Sequence, residues 1–395
     1  MTTVLIAGGG IGGLAAAVGV ASRGHRAVVL ERRDTFTELG AGIQIGPNGF
    51  LALDRLGVGG EVRRLAVHID ELRFMDGTTG ERVAGMPLGE RYRARFGNPY
   101  AVVQRIDLYG PLLAACRDSA LIELRGDSHV IGYEQDGAEV TAVLGTGERI
   151  RGDALIGADG IRSAVRAQLV GDGEPRVSGH TIYRSVIPME RVPRALRWNA
   201  VVLWAAPGRH FVHYPIGGGR HLNLAATRDN GATQAVTGRP AARNHVLREF
   251  GGLCDAARRL LELGEEWREW VLCDRDPVDD WTDRRVALLG DAAHPMLQYA
   301  AQGACMALED AVLLAELLDC AGDEFPQRFE KYNALRRART AGAQFVSREM
   351  GRRLYHPAGA EARARNRMLS AMSEDELYDK VAWLHGARDF VAALP

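Results

Sequence analysis

Lysine is almost absent from this chain: Lys331 and Lys380 are the only two, so arginine carries nearly all of the 49 positive charges. Such a bias marks a GC-rich coding sequence more than a selected phosphate-binding face, and it makes any single arginine weak evidence for a site. An excess of charge is missing too. The 49 basic residues stand against 50 acidic ones, a net charge of -1, which removes the electrostatic reason to expect nucleic acid or an anionic membrane as a partner. No apolar run approaches the roughly 20 residues needed to cross a bilayer. The first apolar stretch, residues 4–6, breaks at once into glycines and lacks the basic segment and cleavage site of a secretion signal. A cytoplasmic protein is expected. The five cysteines, Cys116, Cys254, Cys273, Cys305 and Cys320, are odd in number and contain no C-x-x-C pair. Neither a disulfide framework nor a zinc site is indicated, and no metal is expected.

What is present is a chain of 395 residues, 46% hydrophobic, enough for two or three cooperating units around a substantial core. Residues 3–7 read as a short buried strand, 12–23 as an Ala-rich helix and 27–30 as a second strand, a βαβ unit at the very start. Over 72–98 the pattern breaks into short pieces with turn signals such as Asp76-Gly77. Strand and helix patterns then resume through Ser163. In 180–227, aromatic and β-branched residues separated by Ala206-Pro207-Gly208 and Gly217-Gly218-Gly219 predict an antiparallel sheet. A charged helical region is expected over 241–270, a strand-turn-helix over 286–318, and mostly helix beyond Pro326. The fold class expected is α/β: a discontinuous Rossmann-like nucleotide-binding domain (1–71, 99–178 and 276–340), a second antiparallel-sheet domain (72–98 and 179–275) and a C-terminal helical region (341–395), with the substrate in a cleft between domains.

Gly8, Gly10 and Gly13 form G-x-G-x-x-G directly after a strand and at the opening of a helix, with Ile11 and Gly12 inside the turn. Backbone without side chains can approach a pyrophosphate there, at the positive helix end. Glu31, followed by Arg32, closes the second strand where a carboxylate accepts from an adenosine ribose. Strand, glycines, helix and acid agree on a dinucleotide site, which FAD or NAD would fill equally well. Two further glycine-acid elements follow: Gly157-Ala158-Asp159-Gly160-Ile161-Arg162-Ser163 in mid-chain, and Gly290-Asp291-Ala292-Ala293-His294-Pro295 after the apolar run 286–289.

Taken in order, these three segments resemble the fingerprints of the FAD-dependent aromatic hydroxylases typified by p-hydroxybenzoate hydroxylase, over the chain to about residue 340. The resemblance implies that Asp291 binds the ribityl hydroxyls and that Asp159 and Gly160 serve both FAD and NAD(P)H. It implies that Arg105, with Leu108 keeping the R-x-x-L spacing, contacts the cofactor. It also places the backbone of Ala41, Gly42 and Ile43, from the run Glu38-Leu39-Gly40-Ala41-Gly42-Ile43, beside the flavin ring. Gly290 permits close approach, and the helix opening at Gly303 and Ala304 would point its positive end at the reduced ring. No second G-x-G-x-x-G exists, because Gly217-Gly218-Gly219 lacks the spacing and a following helix. NADH or NADPH is therefore expected as a transient co-substrate over a tightly bound, non-covalent FAD, with a flavin hydroperoxide as the oxidant, as in this family.

The segment from His294 to Met306 is most similar to the 3-hydroxybenzoate 6-hydroxylases, with salicylate and 6-hydroxynicotinate hydroxylases close behind. That similarity implies a small phenolic acid as substrate, foremost 3-hydroxybenzoate going to gentisate. A decarboxylating salicylate-type or other phenolic hydroxylase is the alternative; an FAD oxidase or dehydrogenase and a flavin redox sensor are the other classes. In Phe211-Val212-His213-Tyr214 successive side chains alternate, so His213 and Tyr214 cannot share one pocket in a regular strand. A base is useful because a phenolate reacts faster than a phenol, and His213 is the expected base; a histidine in an aromatic-rich strand is equally often a core residue. The free pKa values, near 6.5 and 10, leave about 3.5 units, roughly 5 kcal/mol, for the pocket to narrow. Gln302 is the second catalytic candidate, and Tyr214, Gln298 and Tyr299 are candidate substrate contacts. Cys305 is assigned no catalytic role. Near His213 the only arginines, Arg209 and Arg220, fall in turns, so the group that binds the substrate carboxylate stays unassigned. A homodimer is expected by family analogy alone.

Overall fold

The computed structural model describes residues 2–38 and 41–386. Its first sheet has six strands in the order Thr282–Asp283, Val286–Leu288, Ala154–Gly157, Thr3–Ala7, Arg26–Leu30 and Ile122–Arg125. All pair in parallel except the first two, which form a hairpin. Val4, Leu5, Ile6, Leu155, Ile156, Val286 and Leu288 have no exposed surface, because helices and a small antiparallel sheet, Val130–Gln135, Val140–Leu144 and Arg149–Gly152, enclose this parallel sheet; this is why its strands read as unbroken apolar runs rather than alternating ones. The helix Ile11–Ser22 crosses the helix Gly303–Leu317 so closely that a Cβ on Gly19 would lie 2.8 Å from that of Ala315. The crossing brings the first glycine turn and the Gly303 helix opening to the same end of the sheet.

The second sheet has eight strands, ordered Arg239–Pro240, Arg268–Asp274, Arg176–Pro188, His221–Asp229, Arg209–Ile216, Ala200–Ala206, Glu71–Asp76 and Arg82–Pro87. It is antiparallel but for the pairing of Ala200–Ala206 with Glu71–Asp76, which docks the 72–98 excursion on its edge. One face is sealed: Val202, Trp204, Phe211, Leu222, Leu224 and Ala226 pack under the helices Arg243–Glu249 and Asp255–Glu262 through Val246, Phe250, Leu260 and Leu261. Each such large side chain contributes about 1.5–3 kcal/mol by leaving water, so the choice of face is firmly fixed. Period-2 alternation sends the intervening residues to the opposite face.

The charged stretch expected to be helical over 241–270 ends instead in the strand Arg268–Asp274, which pairs with Arg176–Pro188. Its neighbour supplies the ladder bonds that outweigh the local helical composition. After Pro326 the helix Phe325–Glu349 runs into a π-helical turn, Met350–Tyr355, then the helices Gly359–Ser370 and Glu374–His385. The last begins with a capping box between Ser373 and Glu376. Among the described residues no helix is long and apolar enough to cross a membrane.

Candidate active site

A cavity of about 1590 Å³ opens between the two sheets, lined by the glycine turns of the first, the free face of the second and the C-terminal helices. At its dinucleotide end Gly8 holds φ +101°, and a Cβ there would come 2.5 Å from the carbonyl oxygen of Ala158; a Cβ on Gly13 would come 1.9 Å from the carbonyl oxygen of Gly8. Only glycine allows the turn to lie against the Asp159 loop in this way. Gly10, Ile11 and Gly12 line the cavity, and no side chain caps the helix that starts there, so its first N–H groups are free for an anion. Glu31 lies behind the turn, its Oε2 accepting from Gly9 N at 2.8 Å, while Arg32 is exposed.

The mid-chain element is shared between structure and site. Asp159 Oδ2 accepts from Ala164 N at 2.8 Å and orders the helix Ala164–Leu169, whereas Oδ1 is buried without a partner. Burial pushes this carboxyl up, and Gly160 carries the lining into the cavity at φ +81°. Asp291 sits in the turn Gly290–Ala292 at the cavity wall; a Cβ on Gly303 would lie 3.8 Å from its Oδ1. Asp291 is exposed to the cavity, and the protein around it pushes its carboxyl up, against the pull of His294 and Arg105. Gly290, at φ +61°, brings its backbone against Ala307. Gly42, Ile43, Gly303 and Ala304 also line the cavity. Ala41 carbonyl oxygen accepts from Arg105 N at 3.1 Å, and Arg105 Nε pairs with Glu38 at 2.6 Å. Leu39 and Gly40 of the same run lie outside the described residues. An unpartnered acid oxygen, two helix openings without side-chain caps and glycines whose Cβ atoms would fill the cradle fit FAD.

Behind Asp291 lies a buried set of charges. Arg336 donates to Asp310 Oδ1 and to Glu309 Oε2, both at 2.6 Å, and His294 Nε2 meets Asp310 Oδ2 at 2.6 Å. Burial alone would raise Asp310, but the charges of His294 and Arg336 bring it down to about 2. Gly290 N also donates to Asp310 Oδ2, at 3.1 Å, so this set fixes the Asp291 turn. It extends through Asn48, which donates to Glu309 and, at 2.9 Å, to Gln302 Oε1. Gln302 is thereby oriented, with Nε2 buried and unpartnered at the cavity wall.

On the second sheet the register decides which side chains face the cavity. Phe74, Leu203, Val212, Ala225 and Arg184 lie opposite one another across five strands, and all five line it. In the strand Arg209–Ile216 the lining residues are His210, Val212 and Tyr214. His213 therefore points the other way, and the expectation that it faces the pocket is corrected. It packs against Phe211, Trp204 and Trp198 with centroids 5.3 to 6.3 Å away, and neither ring nitrogen has a partner. Burial, helped by Arg73, takes its pKa down to about 3. The physical reason is that Trp204 and Phe211 seal against the helices, and His213 shares their parity.

Tyr214 keeps its expected place, against Gly42, with burial pushing its phenol up to about 12. Gln298 lines the cavity and accepts from Arg184 at 2.6 Å; the Tyr299 hydroxyl is bonded to His180. Sequence reasoning missed Arg184, His210 and Tyr355. Arg184 stands two strands away from the His213 strand, with its Nε buried and unpartnered. His210 bonds through Nδ1 to His356 Nε2 at 2.8 Å, and burial first, then the neighbouring His356 and His180, hold its pKa well below the usual histidine value. The one signal for His210 was the same alternation read in the other parity; nothing local marked Arg184 or Tyr355.

A Rossmann-like sheet with this cradle, facing an aromatic-walled cavity on a second sheet, defines a flavin-dependent aromatic hydroxylase. Residues 1–345 match the family described as the FAD binding domain, and the chain belongs to that family. It is 47% identical over 383 residues, 97% of each chain, to 3-hydroxybenzoate 6-hydroxylase 1 of Aquipseudomonas alcaligenes. It is 44% identical to the 3-hydroxybenzoate 6-hydroxylase of Polaromonas naphthalenivorans, covering 97% of this chain and 95% of that one. Among solved structures, a salicylate hydroxylase substrate complex matches with a TM-score of 0.84 and 26% identity, covering 100% of this chain and 98% of the other. FAD is the cofactor, and NADH or NADPH the transient co-substrate.

Proposed function

We propose that this enzyme hydroxylates 3-hydroxybenzoate para to its hydroxyl, giving gentisate, with NADH as reductant. The observation that carries the reading is the convergence of a cation, a neutral imidazole and a phenol on one wall of the cavity: Arg184, His210 and Tyr214 face the same space as Asp291 and Gly303. The 3-hydroxybenzoate activity in the names of the two relatives supports it. Bound FAD supplies the activated oxygen atom and takes the reducing pair from NADH; one atom of O2 enters the ring and the other leaves as water.

The chain's own residues then have the following roles. Gly8, Gly10, Ile11, Gly12 and Gly13 cradle the pyrophosphate, Glu31 and Arg32 the adenosine end, Asp291 the ribityl chain. Ala41, Gly42, Ile43, Arg105, Asp159, Gly160, Gly290, Gly303 and Ala304 complete the cofactor contacts. Arg184, oriented by Gln298, receives the substrate carboxylate as a charge-assisted pair. His210 accepts the phenolic proton as the attack on the ring makes that hydroxyl acidic, with His356 holding its ring. Gln302 Nε2 donates to a ligand oxygen, and Tyr214, Gln298 and Tyr299 wall the ring. A cytoplasmic homodimer divided at the domain boundaries expected from the sequence completes the reading. The test offers 3-hydroxybenzoate and salicylate separately under labelled O2. Gentisate with one labelled oxygen and no carbon dioxide is expected; carbon dioxide and a catechol from salicylate alone would assign the decarboxylating reaction instead.

A further inference from the structure

Just outside the cavity, three side chains come together at one edge of the second sheet: His180 and Asp229, which no step of the hydroxylation uses, and His356, whose far ring nitrogen holds His210. His180, on the strand Arg176–Pro188, lies directly opposite Asp229, the last residue of His221–Asp229. His356 arrives from the far end of the chain, just after the π-helical turn Met350–Tyr355. His180 Nε2 is 3.7 Å from Asp229 Oδ2, and the rings of His180 and His356 are 4.9 Å apart at 61°. One donor atom from each residue lies within 4.8 Å of the other two.

We infer that His180, Asp229 and His356 form a binding site for a single divalent cation of the zinc type. Two imidazoles and one carboxylate are the donor set such an ion takes, and a tetrahedral ion with ligands at about 2.0–2.2 Å leaves a fourth position for water. Asp229, with half of its side chain exposed, keeps that position open to solvent. A ligating imidazole needs its other nitrogen fixed. Both are: His180 Nδ1 is bonded to the Tyr299 hydroxyl, and His356 Nε2 to His210 Nδ1 at 2.8 Å. Arg228, a cation that acts on His356, is paired with Glu249 at 3.3 Å. The donor atoms need to close by about an ångström, which the exposed Asp229 side chain can do.

Occupancy ties the C-terminal segment to the sheet edge and grips His356, the partner of His210, so zinc should slow turnover. Binding stands on these side chains alone; the slowing rests on the role proposed for His210. The test is calorimetric titration of the untagged, FAD-loaded enzyme, stripped of metal by a chelator, with zinc chloride. One equivalent should bind, and Asp229→Ala and His180→Gln should each weaken binding at least about tenfold. Asp229→Ala should keep the metal-free rate of substrate-stimulated NADH oxidation and lose its inhibition by zinc. No uptake by the wild type, or equal affinity in both variants, overturns the site. Site-specific binding with an unchanged rate keeps the site and removes the coupling to His210. A metal-free enzyme inactive on 3-hydroxybenzoate bears on the substrate reading alone.

Discussion

Two histidines three residues apart on one strand make opposite predictions. Replacing His210 by Asn removes the imidazole at the cavity wall, and general-base assistance of this kind is worth about 10²–10⁴ in rate, or about 3–5 kcal/mol of transition-state stabilisation. Because His210 sits on the sheet rather than in the glycine cradle, FAD content and the flavin spectrum should stay unchanged, and the loss should fall on kcat more than on KM. Replacing His213 by Leu does the reverse. Its two ring nitrogens have no partner in an apolar stack, and each unsatisfied buried polar group costs about 1–3 kcal/mol. Stability should therefore hold or rise by up to about 2 kcal/mol, and kcat/KM should stay within about twofold, which is under 0.5 kcal/mol. The assay is substrate-stimulated NADH oxidation with both variants, paired with thermal melting. A hundredfold loss in His213→Leu beside an active His210→Asn would refute the assignment of sheet faces.

Other consequences are as direct. Arg184→Gln should raise KM for aromatic acids by about 10–150-fold, the equivalent of a charged hydrogen bond of about 1.5–3 kcal/mol, while a phenol without a carboxylate loses little. Gly13→Ala, whose Cβ would lie 1.9 Å from the Gly8 carbonyl oxygen, should yield a protein without bound flavin, read from its visible spectrum. Arg336→Met leaves Glu309 and Asp310 buried without their shared cation, a change that costs about 3–5 kcal/mol; differential scanning of the FAD-loaded protein should show a lower Tm. Asp310, held at about 2 when folded, against about 3.9 unfolded, contributes roughly 2–3 kcal/mol that is present above pH 5 and is lost as the pH falls toward 2. Denaturant titrations over that range should show the decline, and a flat profile would exclude it. His210, held well below the usual histidine value, is neutral at working pH, so kcat/KM should show no protonation limb near 6.5 from this residue.

The cofactor end of the site was legible because its constraints are local. Gly8 and Gly13 must touch each other across one turn, and Glu31 must reach Gly9, so the requirement is written within a single βαβ unit. The substrate end was half legible. Alternation along Phe211–Tyr214 correctly separates His213 from Tyr214, but which parity faces the cavity depends on the helices Arg243–Glu249 and Asp255–Glu262, which cover the other side. That packing joins residues some forty positions apart, and no pattern within the strand announces it. Arg184 reaches the cavity through two strand pairings, Tyr355 reaches it from beyond the helix Phe325–Glu349, and His356, next in the chain, stands behind His210. Chain topology, not local composition, brings them there.

The central claim is that the second sheet presents a phenolic acid to FAD for hydroxylation. Its most direct test is to follow NADH consumption by the purified, FAD-loaded protein with and without 3-hydroxybenzoate and to quantify the product. The account predicts that substrate stimulates NADH oxidation and that one gentisate forms per NADH consumed. NADH oxidation that is indifferent to 3-hydroxybenzoate, with no hydroxylated product, would contradict it.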